Sequence, residues 1–268
     1  MANNEVRKFK SGIYTLDSRL VGESLKGISL LNNKEPYCIV GGIATQSYLP
    51  AFCRRPTFDI DVLIIKPMNY DDFRNLSKPL IEYFSDKGYK TDWKKYSRSF
   101  ALKLHEGDNK LLIEFSRRNG KNFEKSKKIL ERKLKNSKKK TIGVSRAECY
   151  VIAPEDIFVP KLVRCVGSLF RNPQLKKTLP KNKEISPDFI ISQLKLINDL
   201  REYAILNPGN LETAEELRFI SDIYDMNLLY KLSKLRKGYL KESMNDWDAL
   251  TEKKSEKETL INFIFDKE

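Results

Sequence analysis

Phe58-Asp59-Ile60-Asp61-Val62-Leu63-Ile64-Ile65 is apolar and largely β-branched throughout, except for two carboxylates. Such a run reads as a strand made for a core. Side chains alternate faces along a strand, so Asp59 and Asp61 project from one side and Phe58, Ile60 and Val62 from the other. Two like charges held side by side cost energy unless solvent or a cation neutralises them. A solvated strand edge would satisfy that need, and so would a divalent metal. In a strand otherwise built from core residues, the metal is the more economical answer.

Upstream, Tyr37-Cys38-Ile39-Val40 reads as a short buried strand ending at Gly41-Gly42, and Ala44 to Leu49 as a helix closed by Pro50. A glycine pair between strand and helix can be only a tight turn. It also lets backbone N–H groups approach a triphosphate at a helix N-terminus. Further back, residues 11–32 carry an approximate helical stripe of Ile13, Leu16, Leu20, Leu25, Ile28 and Leu31. Downstream, Tyr70 to Tyr89 reads as a helix with Phe73, Leu76, Leu80, Ile81 and Phe84 on one face. Strands at Ser99 to Leu104 and Lys110 to Phe115 are joined by Gly107-Asp108-Asn109, whose residue types suit a hairpin. Glu114 interrupts the apolar run of the second strand and is a candidate third carboxylate, though it could equally pair with a nearby arginine. Three carboxylates suit two Mg²⁺ ions roughly 4 Å apart, the clamp used in phosphoryl transfer. A basic helix follows from about Phe123 to Leu134, then a strand near Cys149 to Ile152. From Pro154 onward strand signals cease. The expected class is therefore α+β, with an α/β domain over residues 1–153 and a helical domain over 154–268. Arg171 to Pro187 reads as a long surface loop between helices.

A chain of 268 residues with 40% hydrophobic content can bury a substantial core, so disorder is not the default. No apolar run approaches the roughly 20 residues that span a bilayer, and the N-terminus lacks the apolar region of a signal peptide. The expectation is a soluble, cytoplasmic protein without a membrane partner. Cys38, Cys53, Cys149 and Cys165 are scattered, which argues against a zinc site or disulfide framework, and His105 reads as a surface residue. The net charge of +14 is concentrated. Arg117 to Lys140 holds twelve Lys and Arg against Glu124 and Glu131, and Lys161 to Lys183 adds seven basic residues and no acid. That distribution fits a polyanionic partner, nucleic acid before membrane, or else a plain solvated face.

Taken together, Val40-Gly41-Gly42-Ile43-Ala44 and Arg55-Pro56-Thr57-Phe58-Asp59-Ile60-Asp61 resemble the nucleotidyltransferase superfamily. The Arg-x-Thr-x-Asp-hydrophobic-Asp form looks most like the AbiEii and MenT group of toxin-type nucleotidyltransferases. Pro154-Glu155-Asp156 with Lys161 five residues beyond the Asp, and Ser221-Asp222-Ile223-Tyr224-Asp225, are similar to two helical motifs of that group. In the first of these, Pro160 removes an amide donor and predicts a kink beside Lys161. The resemblance spans roughly Val40 to Leu235. It implies a polymerase-beta-like mixed-sheet domain followed by a helical domain, with Mg²⁺, two ions, as cofactor and an NTP as substrate. It implies Asp59, Asp61 and Glu114 as metal ligands, and Gly41, Gly42, Arg55, Thr57 and Lys161 around the nucleotide. Asp59, Asp61, Lys161 and Asp222 are the catalytic set so implied. The reaction would be transfer of a nucleoside monophosphate to an acceptor hydroxyl on RNA, such as a tRNA end, with an antitoxin protein as a further partner. Two rivals stand beside it: the same chemistry on a small molecule or protein, and a catalytically silent binding protein of the same fold.

Overall fold

The computed structural model describes residues 14–32, 34–97, 99–116, 120–180 and 184–265. Ile13, Arg117, Arg118, Lys181 and Lys183, which figure in the sequence expectations, lie outside the described residues. The chain divides between Ala153 and Pro154 into two compact units.

Within the first unit the elements run α1 (Arg19–Ser29), β1 (Tyr37–Val40), α2 (Gly41–Gln46), β2 (Asp59–Ile64), α3 (Tyr70–Asp86), β3 (Lys90–Lys95), β4 (Ser99–Glu106), β5 (Asn109–Ser116), α4 (Gly120–Asn136), β6 (Lys138–Ile142) and β7 (Ala147–Val151). Among the described residues the strands form one seven-stranded mixed sheet in the order β3-β4-β5-β2-β1-β7-β6. β2 is thus central, antiparallel to β1 and parallel to β5. Ile60 and Val62 of β2 lie in register with Ile113 and Phe115 of β5, and Phe115 with Phe100 of β4. This apolar face is covered by α3, whose Phe73 ring stacks on Phe100 at 5.2 Å and meets Phe115 at 5.5 Å. Aromatic pairs of this kind add about 0.5–1.5 kcal/mol to the burial itself. The start of α3 is fixed by a capping box, in which Asn69 accepts from the Asp72 amide and Asp72 accepts from the Asn69 amide. With α3 holding one face, Asp59, Asp61 and Glu114 project from the opposite one.

Three elements differ from the sequence expectation. α2 begins at Gly41 itself rather than at Ala44. β3 and β6 were not foreseen, because Lys-Thr-Asp-Trp-Lys-Lys and Lys-Lys-Lys-Thr-Ile carry no apolar alternation. Both are outer strands of the sheet, where lysine discourages pairing with another chain. Inner strands need a buried face, and these two do not.

The second unit is helical: α5 (Pro154–Arg171), a 3₁₀ segment (Pro173–Thr178), α6 (Pro187–Leu206), α7 (Leu211–Leu232), α8 (Lys237–Met244), α9 (Ala249–Glu252) and α10 (Lys254–Ile264). The 3₁₀ segment occupies part of the stretch expected to be a long surface loop between helices. α7 packs on α5, α6 and α10, and every residue from Phe219 to Leu229 is buried. A helix buried all round shows little periodicity. α5 runs continuously through Pro160. Its first turn is stapled to the α8 region: Glu155 accepts from the Arg236 amide at 2.6 Å and from its guanidinium, while Asp156 accepts from Tyr239 at 2.6 Å and Ser243 at 3.1 Å. No helix among the described residues is long and apolar enough to cross a membrane.

Candidate active site

The centre of the sheet brings together most of the residues singled out in its own unit. Asp61 lies in register with Val40 of β1 on one side and with Glu114 of β5 on the other. The parallel pairing that aligns Asp61 with Glu114 places Asp59 beside Leu112 on the same face. Asp59, Asp61 and Glu114 thus share one face of adjacent strands. Thr57 donates its hydroxyl to Asp59 Oδ1 at 3.1 Å, and Ser99 donates to Glu114 Oε2 at 3.2 Å. Each of these two carboxylates therefore has a neighbour that orients it.

The glycine pair is built around these side chains. Gly41 has φ +67°, a left-handed conformation open to glycine, and a Cβ there would fall 2.0 Å from Asp61 Oδ2. At Gly42 a Cβ would meet the Thr57 hydroxyl at 2.9 Å. The turn is thus closed down on Asp61 and on the residue that orients Asp59.

Several contacts fix the segment leading into β2. Gln46, buried at the end of α2, accepts from the Leu16 amide at 2.8 Å and donates to the Arg55 carbonyl at 3.0 Å. Tyr14 and Thr57 exchange backbone hydrogen bonds at 2.8 Å. Arg54 donates through Nε to the Gln46 and Leu49 carbonyls and pairs with Asp17 at 2.9 Å. Lys140 donates to the Ser47 carbonyl and lies 3.6 Å from the centre of the Tyr48 ring. Two cations thus face the carbonyl end of α2, where the helix dipole favours them. Sequence reasoning missed Gln46, Ser99 and Lys140, because none of them belongs to a motif. Arg55, expected near phosphate, lends its backbone to this framework and keeps its side chain half-buried.

The donor set suits Mg²⁺, a hard cation that takes one or two carboxylates and completes its shell with water and substrate phosphates. The missing Cβ at Gly41 is what lets the backbone approach the Asp61 carboxylate. Among the described residues no three Asp, Glu, His or Cys side chains converge as a preformed metal cage. Asp59 and Asp61 are thus a pair of carboxylates that could hold such an ion, with Glu114 alongside.

Lys161 and Asp222 lie in the helical unit, where they belong to one buried cluster. Lys161 Nζ, 4% exposed, donates to Asp222 Oδ1 at 2.9 Å and to Asp225 Oδ2 at 2.7 Å. Arg164 completes the cluster with two hydrogen bonds to Asp222, at 2.8 and 2.9 Å. Burial alone would raise the Asp222 pKa, but Lys161 and Arg164 outweigh it and hold the carboxyl down at about 2. Arg164 was not foreseen, although it sits three residues after Lys161 and so shares its helix face. The free cysteines Cys38, Cys53, Cys149 and Cys165 are all buried. His105, read as a surface residue, pairs from β4 with Asp92 of β3 at 2.9 Å.

No protein-family model and no curated protein matches the sequence. Among solved structures, the chain is similar to the crystal structure of an antigenic nucleotidyltransferase-like protein from Paracoccidioides brasiliensis, with 14% identity and a TM-score of 0.45 over 93% of this chain and 99% of that one. A likeness this loose assigns neither fold nor activity.

Proposed function

We propose that this chain transfers a nucleoside monophosphate from an NTP to an acceptor hydroxyl, releasing pyrophosphate. One observation carries the reading: Asp59 and Asp61 stand side by side on a central strand, with the Gly41 backbone closed onto the Asp61 carboxylate. The two like charges alternate with the buried Ile60 and Val62, an arrangement that a bound cation would stabilise.

In this reading Asp59 and Asp61 hold Mg²⁺, with Glu114 the third carboxylate should two ions bind. When bound, Mg²⁺ neutralises charge on the triphosphate and favours loss of the acceptor proton. Thr57 keeps Asp59 in its rotamer, and Gly41 keeps the side of Asp61 clear. Glu114, held by Ser99, would take the acceptor proton in this reading. Because the task is positioning and charge neutralisation, no covalent nucleophile is needed, and the buried cysteines have no part.

RNA is the acceptor we favour. On α4, Lys125, Lys128 and Lys135 are exposed while Phe123 and Leu130 are buried, so this helix presents cations outward over an apolar anchor. The resemblance to toxin-type enzymes extends the proposal to a growth-inhibiting activity held in check by an antitoxin. The decisive experiment incubates the protein with each labelled NTP, Mg²⁺ and total RNA, with Asp59→Asn as control. Label entering RNA supports the reading. Label entering only a small molecule or protein moves the acceptor, and no label in any species overturns the activity.

A further inference from the structure

On the face of the helical unit where α5 and α7 run side by side there is an open cleft of about 410 Å³, lined by Val163, Arg164, Ser168 and Arg171 of α5 and by Glu215 and Arg218 of α7, among others. That volume falls within the roughly 300–1,000 Å³ of ordinary ligand sites. Arg164, Ser168 and Arg171 are spaced to share one face of α5, and Leu211, Glu215 and Arg218 one face of α7. Gly167 lies on the floor, where a Cβ would meet Arg171 Nη1 at 3.5 Å.

The charges here do not cancel. Arg164 is bound to Asp222, and Arg171 donates to Glu215 and Ser168. Chiefly through the hydrogen bond from Arg171, the Glu215 carboxyl is held below the usual range and stays ionised. Arg218 is exposed and makes no ion pair among the described residues. Counting the cluster behind the cleft, Lys161, Arg164, Arg171 and Arg218 face Asp222, Asp225 and Glu215, which leaves one positive charge in excess. The wall beside Arg218 is apolar: Val163, Ala214 and Leu211, the last 76% exposed.

We infer that this cleft binds one phosphodiester of a single-stranded RNA, with Arg218 as the principal contact and Leu211 against the adjoining sugar or base. A phosphodiester carries the single negative charge that the cleft lacks, whereas a triphosphate would leave several uncompensated. Arginine suits the task because its planar fork matches two phosphate oxygens. The apolar wall gives the neighbouring nucleoside a surface that a free phosphate ion could not use. The inference rests on the RNA reading above and adds a second point of attachment, on helices that the catalytic carboxylates do not share.

The test follows binding of a fluorescein-labelled single-stranded RNA by anisotropy across a salt series, for the full chain and three variants. Arg218→Glu and Ala214→Glu each place a carboxylate on the rim; Lys177→Glu makes the same charge change as the first at an exposed position off the cleft. Arg218→Glu is expected to weaken binding about tenfold and to flatten the slope of log K against log salt by roughly 0.7, the share of one phosphate on a single strand. Ala214→Glu should follow it, and Lys177→Glu should stay within about twofold of wild type. Wild type that binds RNA while both rim variants bind equally well overturns the cleft and leaves the RNA reading intact. Wild type that binds no RNA at low salt overturns both.

Discussion

Replacing Gly41 with Ala tests the site through backbone geometry rather than through charge. Two costs arise. The left-handed conformation at φ +67° is worth about 1–2 kcal/mol against any residue with a Cβ. The new Cβ would also fall 2.0 Å from Asp61 Oδ2, where ordinary contact begins at 3.4 Å, so the carboxylate has to retreat by roughly 1.4 Å or the turn has to open. Misplacing a reacting group by about 1 Å costs on the order of 10²-fold in rate. Gly88→Ala is the matched control, because Gly88 has φ +80° and nothing lies within 4 Å of a Cβ built there. Both variants should lose about 1–2 kcal/mol in urea denaturation from the backbone alone, with Gly41→Ala losing more through the clash. Only Gly41→Ala should lose nucleotidyl transfer, by about 10²-fold. Equal transfer by the two variants at matched folded fraction would refute the view that Gly41 exists to let the backbone close on Asp61.

Asp59→Asn and Asp61→Asn should each abolish transfer while leaving far-UV circular dichroism unchanged, and thermal stability without metal should hold or rise as like-charge repulsion is relieved; turnover retained by the double variant would move the site elsewhere. Replacing the exposed Lys125, Lys128 and Lys135 with Gln should flatten the salt dependence of RNA binding by roughly 0.7 for each phosphate that is no longer neutralised, without touching hydrolysis of free NTP. For Asp222, the folded pKa of about 2 lies below the ordinary 3.8, so its contribution is present above pH 4 and lost as pH falls through 2. That amounts to about 2 kcal/mol, readable as a falling melting temperature over this window in wild type and a smaller fall in Asp222→Asn.

What the sequence revealed follows from where each residue is buried. Asp59 and Asp61 were legible because they break an apolar alternation on a strand whose other face is packed under Phe73. Glu114 was legible for the same reason on β5, and its register with Asp61 needed the sheet order. β3 and β6 were illegible because outer strands need no apolar alternation, and their lysines read as loop or basic tract. The start of α2 was misplaced by three residues because glycine is a poor helix former, yet here the steric demand of Asp61 and Thr57 overrides propensity. Pro160 did not end α5, whose first turn is pinned through Glu155 and Asp156 to the α8 region. α7, buried on every side from Phe219 to Leu229, offers no periodic stripe, so only its Asp222 and Asp225 motif marked it.

Lys161 poses the sharper question, because the motif it belongs to and the contacts it makes point to different work. An ammonium has three protons to donate, and in this structure two go to Asp222 and Asp225 in a setting that is 4% exposed. With Arg164, the group is two cations against two carboxylates, and it ties α5 to α7. Such a cluster contributes little over an apolar replacement of the whole, yet removing one member strands a charge and costs about 3–5 kcal/mol. Lys161→Met should therefore destabilise the chain by that amount. Lys161→Met combined with Asp225→Asn should recover part of the loss, since the carboxylate it would strand is gone, and the coupling energy from the cycle should exceed about 1 kcal/mol. If the cluster is structural, transfer activity measured at equal folded fraction should return along with stability in the double variant. Wild-type stability in Lys161→Met together with a loss of transfer would place the ammonium on the nucleotide and dismiss the structural role.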